Sequence, residues 1–156
     1  MTVKQQATGE NKPVAKFKDK EEFVEIYGAF MKELMSHPII GPKLKRSGIV
    51  VQFQYTDPDV QITVNFKETG PDPKVAGVCA FGDAPWAPEV TFIQSADFSN
   101  RFWQGKENVI AAMAKRQVTA RGSIHRALAL IPVIRPSFRI YPQILDRLGK
   151  KHLIAT

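Results

Sequence analysis

Two short stretches near the middle of the chain constrain its fold more than any other feature. In residues 49–56, IVVQFQYT, the apolar Val51, Phe53 and Tyr55 alternate with Gln52, Gln54 and Thr56. In residues 60–66, VQITVNF, Val60, Ile62, Val64 and Phe66 alternate with Gln61, Thr63 and Asn65. A period of two belongs to a β-strand, whose successive side chains point to opposite faces. Asp57-Pro58-Asp59 between them supplies turn chemistry. The pair is therefore an antiparallel hairpin with one apolar and one polar face. A two-stranded ribbon is marginal in water, so the apolar face needs further strands and a cover.

The rest of the chain offers both. Asp19 and Glu22 stand as an N-cap and its N3 partner, ahead of Phe23, Ile26, Tyr27, Phe30, Met31, Leu34 and Met35 at helical spacing. Pro38 ends that helix near His37, and residues 40–47 form a short helical turn closed by Gly48. Residues 75–81 and 89–95 read as third and fourth strands. Ser95 caps a helix that Gly105 ends, residues 108–116 form another, and residues 117–123 a fifth strand. The C-terminal third reads as helical pieces interrupted by Pro132, Pro136 and Pro142. The expected class is α+β: a five-stranded, mostly antiparallel sheet covered on one face by helices. Residues 1–16 are expected to be a flexible arm, residues 17–151 a single domain and residues 152–156 a tail.

Charge and motif content narrow the function. Residues 1–114 carry 13 Lys/Arg against 14 Asp/Glu, whereas residues 115–156 carry nine against the single Asp146. A basic quarter of this kind suits an anionic partner such as a lipid headgroup, although a solvated basic face explains it equally well. The single Cys79 sits in an apolar run, which implies a buried structural thiol, no internal disulfide and a reducing, cytoplasmic setting. No run approaches the roughly 20 apolar residues of a membrane span. Gly105-Lys106 lacks the remainder of a P-loop, having Asn100 and Glu107 where that motif needs Gly and Ser/Thr. Ser123 and His125 lie at a strand-to-helix corner, where a cap is the simpler reading, and Asp57 and Asp59 are turn residues. No catalytic residue, metal or cofactor is expected, and the aromatics of residues 135–151 are read as packing rather than nucleic-acid stacking.

One segment stays ambiguous. Residues 109–114, VIAAMA, form a helix without a polar face. Such a helix is either enclosed on all sides or turned towards an apolar void. The small Ala111, Ala112 and Ala114 stand near the longer Leu128, Leu130, Ile131 and Ile134, and the fifth strand adds only Val118, Ala120 and Gly122 on one face. A close-packed core and a ligand space are both compatible with these residues.

A resemblance favours the second. From about Phe23 to Leu148 the sequence resembles the sterol carrier protein 2-like domain family. The resemblance rests on EVTFIQSADF (residues 89–98), Gly105-Lys106, Ala112-Met113, VTARG (residues 118–122) and Ala127-Leu128, in that order and spacing. It implies an apolar tunnel between sheet and helices that binds sterols, fatty acids, acyl-CoAs, isoprenoids or phospholipids, without catalysis. The lining is then expected from Phe92, Phe98, Phe102 and Trp103, from Ile110, Met113 and Ala120, and from Leu128, Ile131, Ile134 and Phe138. Arg121, Arg126, Arg135 and Arg139 are expected to contact a headgroup or an anionic membrane. A protein-interaction or scaffolding module in quinone or lipid metabolism, with a homodimer as one form, is the alternative. An acyl-CoA-dependent enzyme stands third, and nucleic-acid binding last.

Overall fold

A computed structural model describes residues 16–155. Most of the arm expected over residues 1–16 lies outside them. Helix α1 (Lys20–Ser36) starts where the sequence says it should: the Asp19 carboxylate accepts from the Glu22 amide at 2.8 Å. It ends at His37, whose extended backbone is the conformation that a following proline imposes. Helix α2 (Ile40–Ser47) closes on Gly48 in the left-handed region.

Strands β1 (Val50–Thr56), β2 (Val60–Asn65) and β3 (Val78–Phe81) form an antiparallel meander. Strand β4 (Val90–Ser95) then lies parallel to β1 on its other edge, and β5 (Thr119–Gly122) pairs antiparallel with β4. The sheet order is β3-β2-β1-β4-β5. It is thus mixed, with one parallel pair in a mostly antiparallel sheet. The parallel pair is possible because two whole strands and the loop over 82–89 separate β1 from β4, ample length for a crossover.

The register sorts side chains by face. Phe81, Ile62, Phe53, Phe92 and Ala120 form one row across the sheet, flanked by Val51, Val64 and Val90 on one side and Val60, Tyr55 and Gln94 on the other. This is the face the helices cover. Thr63, Gln52, Thr91 and Arg121 form a row on the opposite face. There Gln52 donates to Thr63 at 3.2 Å and Gln54 to Gln52 at 2.8 Å. Thr63 is fully covered, so this face is polar without being wet throughout.

Helix α3 (Ala96–Phe102) is capped by Ser95, which accepts from the Phe98 amide at 3.0 Å. Gly105 follows at φ +76°, and a Cβ there would press on the Phe138 ring. Helices α4 (Val109–Ala114), α5 (Ile124–Leu128) and α6 (Ile131–Ile134) are short. Helix α7 (Ser137–Arg147) corrects one expectation, because Pro142 sits inside it without breaking it. The lost backbone bond is outweighed by Tyr141, Ile144 and Leu145, which are completely buried around it. A 3-10 turn over Lys151–Leu153 follows, with Leu153 enclosed.

The core is aromatic. Phe23 and Tyr27 on α1 meet Tyr55 of β1 with ring centroids 4.9 and 5.7 Å apart. Phe30 meets Trp103 and Tyr141 at 4.9 and 5.0 Å. A polar thread runs through it. The hydroxyls of Tyr27 and Ser99 lie 2.6 Å apart, Tyr141 donates to Asn100 at 2.7 Å, and the Asn100 and Gln104 amides donate to the Leu153 carbonyl. Burial holds the Tyr27 and Tyr141 hydroxyls protonated, well above the usual tyrosine range. At the other end of β4, the Glu89 carboxylate accepts from Lys67, the Val50 amide and Arg126. Arg126 also donates to the Ser47 carbonyl, tying α5 to the end of α2.

Two outcomes follow. Phe30→Ala removes a fully buried ring with three aromatic neighbours and is expected to cost about 3–5 kcal/mol in urea unfolding. The Lys67 ammonium, the Val50 amide and then Arg126 hold the Glu89 carboxyl below its ordinary value of 4.5. Its contribution is therefore present above that value and lost as pH falls through the lower folded value. Glu89→Gln is expected to be less stable than the parent at about pH 7, by about 1 kcal/mol or less for so exposed a cluster. The difference shrinks towards about pH 3. A difference that stays constant across that range assigns the loss to something other than ionisation.

Candidate functional site

The helices do not seal the apolar face of the sheet. Between them lies a hollow of about 100 Å³. At about 30 Å³ per water, that is space for about three waters, or a similar number of methylenes. Val51, Phe53, Val64, Phe92 and Gln94 of the sheet line it, with Phe66 just beyond β2. Met31 and Leu34 of α1 and Leu44 of α2 contribute from one side. Phe98, Phe102 and Trp103 contribute from α3 and its end, and Val109, Ala127, Leu128, Leu130, Ile131 and Ile134 from the segment after it.

The lining is uneven in exposure. Met31, Leu34, Leu44, Val51, Val64, Phe66, Phe92 and Phe98 are buried. Val109, Leu128, Leu130, Ile131 and Ile134 are half-buried. The hollow therefore opens on the side of α4, α5 and α6. Those helices are also the least anchored, since α4 and α5 bury one alanine each, Ala112 and Ala127, and α6 buries none.

Seven of the eleven residues expected from the sequence stand on this lining: Phe92, Phe98, Phe102, Trp103, Leu128, Ile131 and Ile134. Four do not. Ile110 is a correction, being 60% exposed on the outer side of α4. A helix without a polar face was expected to be enclosed or turned to a void, and α4 meets the hollow only through Val109 at its first turn. Met113 is half-buried outside the lining. Ala120 faces the right side of the sheet, opposite Phe92, but on the edge strand and beyond the hollow. Phe138 stands behind the wall, 5.5 Å from Phe102 and 6.4 Å from Trp103 by ring centroids.

The basic residues separate as well. Arg121 projects from the opposite face of the sheet, in the row of Thr91 and Gln52, so it cannot rim the hollow. Arg126 is engaged by Glu89 at 3.1 Å and Ser47 at 2.8 Å. Arg135 and Arg139 are exposed at the end of α6 and on α7, and among the described residues no carboxylate pairs with either. Ser123 occupies the N-cap position of α5 but makes no capping bond, and His125 is exposed. Burial pushes the Cys79 thiol up to about 11, which leaves it protonated and a poor nucleophile at neutral pH.

Sequence reasoning overlooked the contributions of α1, α2 and the central strands. Their apolar residues were legible as buried. Whether a buried residue meets another side chain or a void depends on how far helices stand from the sheet, which periodicity does not encode. Gln94 had a signal: it follows Val90 and Phe92 at the inward positions of β4.

No family model matches the chain, and no curated protein matches it by sequence. Solved structures do match in shape. The apo form of sterol carrier protein 2 from Yarrowia lipolytica superimposes with a TM-score of 0.57 at 13% identity, covering 80% of this chain and 98% of that one. The sterol carrier protein domain 2 of Helicoverpa armigera gives 0.58 at 16% identity, with 85% and 96% covered. A ubiquinone synthesis protein described as UbiJ-SCP2 gives 0.56 at 9% identity, with 78% and 96% covered. At such identities the likeness is one of architecture, and on that ground the chain has the sterol carrier protein 2-like fold.

Proposed function

We propose that the chain binds the hydrocarbon part of a lipid, without catalysis, in the hollow between sheet and helices, and that this hollow is the inner part of a ligand tunnel. The observation that carries the reading is the lining: eighteen residues, with Gln94 the one whose side chain is not apolar or aromatic. The likeness to two sterol carrier proteins supports it. Each methylene removed from water contributes roughly 0.8 kcal/mol, so the hollow as it stands supplies on the order of 2–3 kcal/mol before association costs. A longer chain needs more room. The weakly anchored layer of α4, α5 and α6 is the part that can move outward to provide it. Arg135, at the end of α6, and the exposed Arg139 of α7 would meet an anionic membrane surface or a headgroup.

A second reading is an accessory module that contacts another protein. Ile39 and Ile110, 61% and 60% exposed, favour it, as does the likeness to the ubiquinone synthesis protein. A stable homodimer that excludes lipid would place this reading first.

Ala127 lines the hollow and is small, so Ala127→Phe is expected to fill it. Titration with the neutral fluorophore N-phenyl-1-naphthylamine should show at least a tenfold (on the order of 1.4 kcal/mol) loss of affinity, with the circular dichroism spectrum retained. Undiminished binding by a folded variant removes the hollow as the site. Vesicles containing an anionic phospholipid should bind the parent protein at low salt, and the Arg135→Ala/Arg139→Ala double variant several-fold less. Equal binding rejects these arginines as the docking surface.

A further inference from the structure

Gln94 is out of place in its surroundings. It is nine-tenths buried, with 9% of its surface exposed, on the helix-covered face of β4. Its neighbours on the lining include Phe92, Phe53 and Phe98. Among the described residues no group donates to its side-chain carbonyl and none accepts from its amide. Yet the amide is not sealed in protein, because it borders the hollow. A buried amide has one carbonyl acceptor and two N–H donors to satisfy, and leaving them unmet is costly. Natural interiors pair such groups, and this one is paired neither across the strands nor to a helix.

We infer that Gln94 is the specificity-determining residue of the hollow, and that its partner is an uncharged oxygen, a hydroxyl or a carbonyl, carried on the buried part of the ligand. The inference rests on the hollow being the ligand site. The oxygen is uncharged because no Lys, Arg or His stands on the lining, and a carboxylate brought there would lose its hydration with only an amide in return. It is buried with the ligand because Gln94 is itself enclosed, whereas Arg135 and Arg139 are exposed. A hydroxyl fits the amide in both directions, donating to the carbonyl and accepting from the NH₂. The selected class is thus an alcohol or ketone of the lipid type rather than a plain hydrocarbon or a fatty acid anion inserted carboxylate first.

The test uses the full chain and two probes, N-phenyl-1-naphthylamine and 1-octanol competing with it. In Gln94→Leu the fluorophore should bind as well as in the parent or better. The competing affinity of 1-octanol should fall about 5- to 10-fold, the range for losing one neutral hydrogen-bond pair. The Gln94 side-chain NH₂ signals of the parent should shift when 1-octanol is added and hold still when nonane, equal in heavy atoms, is added. Equal octanol competition in parent and variant, or NH₂ signals that ignore octanol, overturns the role of Gln94 while leaving the hollow as the site. Failure of both probes to bind the parent overturns the site and this inference together. Should Gln94→Leu not fold, Gln94→Met and the NH₂ signals of the parent decide the matter in the same terms.

Discussion

Phe23, Tyr27 and Phe30 stand on one face of α1 and reach in two directions, to Tyr55 of the sheet and to Tyr141 and Trp103 beyond it. That contact places three of the helices. It sets α1 on the sheet, seats α7 on α1, and fixes α3 through the Tyr27–Ser99 pair. Asn100, one residue on, receives Tyr141 and holds Leu153, so the end of the chain is locked by the same cluster. Polar groups buried this deeply are costly when left unpaired. Here the Tyr27 hydroxyl pairs with Ser99, Tyr141 with Asn100, and the Asn100 and Gln104 amides with the Leu153 carbonyl, while the buried Tyr55 hydroxyl has no partner among the described residues.

The hollow exists because this cluster occupies one end of the sheet only. Bulky aromatic rings fill the space under the first half of α1. Farther along, Met31 and Leu34 face sheet residues across a gap that the second helical layer covers with short pieces. Pro132 and Pro136 keep those pieces short, because a proline opens a helix readily but cannot extend one backwards. Four- to six-residue helices bury too little to pack tightly, so the cover over the hollow is thinner and less anchored than its floor. Gly122 shows how close the other margin comes: at φ +94° its missing Cβ would stand 2.2 Å from the Glu89 carbonyl, so β5 turns into α5 hard against β4.

Arg126 and Arg135 illustrate the difference between a charge on a sequence and a charge at a site. Both belong to the same basic quarter. One is drawn into a cluster with Glu89 that joins α5 to the sheet and to α2, and the other is left facing solvent. The acidic partner lies 37 positions away in sequence, and no local pattern announces it.

The sequence by itself determined what local physics controls. Alternation over Val51 to Phe66 specified the hairpin, the Asp19 and Ser95 caps specified two helix starts, and the apolar stripe of α1 specified which face it buries. These depend on residues within a turn or a strand of each other. The tertiary structure alone decided that β4 runs parallel to β1, that Pro142 stays within a helix, and that Ile110 faces outward while Gln94 faces in. Each of those outcomes is set by which distant surface arrives to bury a residue. Burial energy depends on what is brought together in space, and the spacing of residues along one strand or helix carries no record of how far its partner stands away.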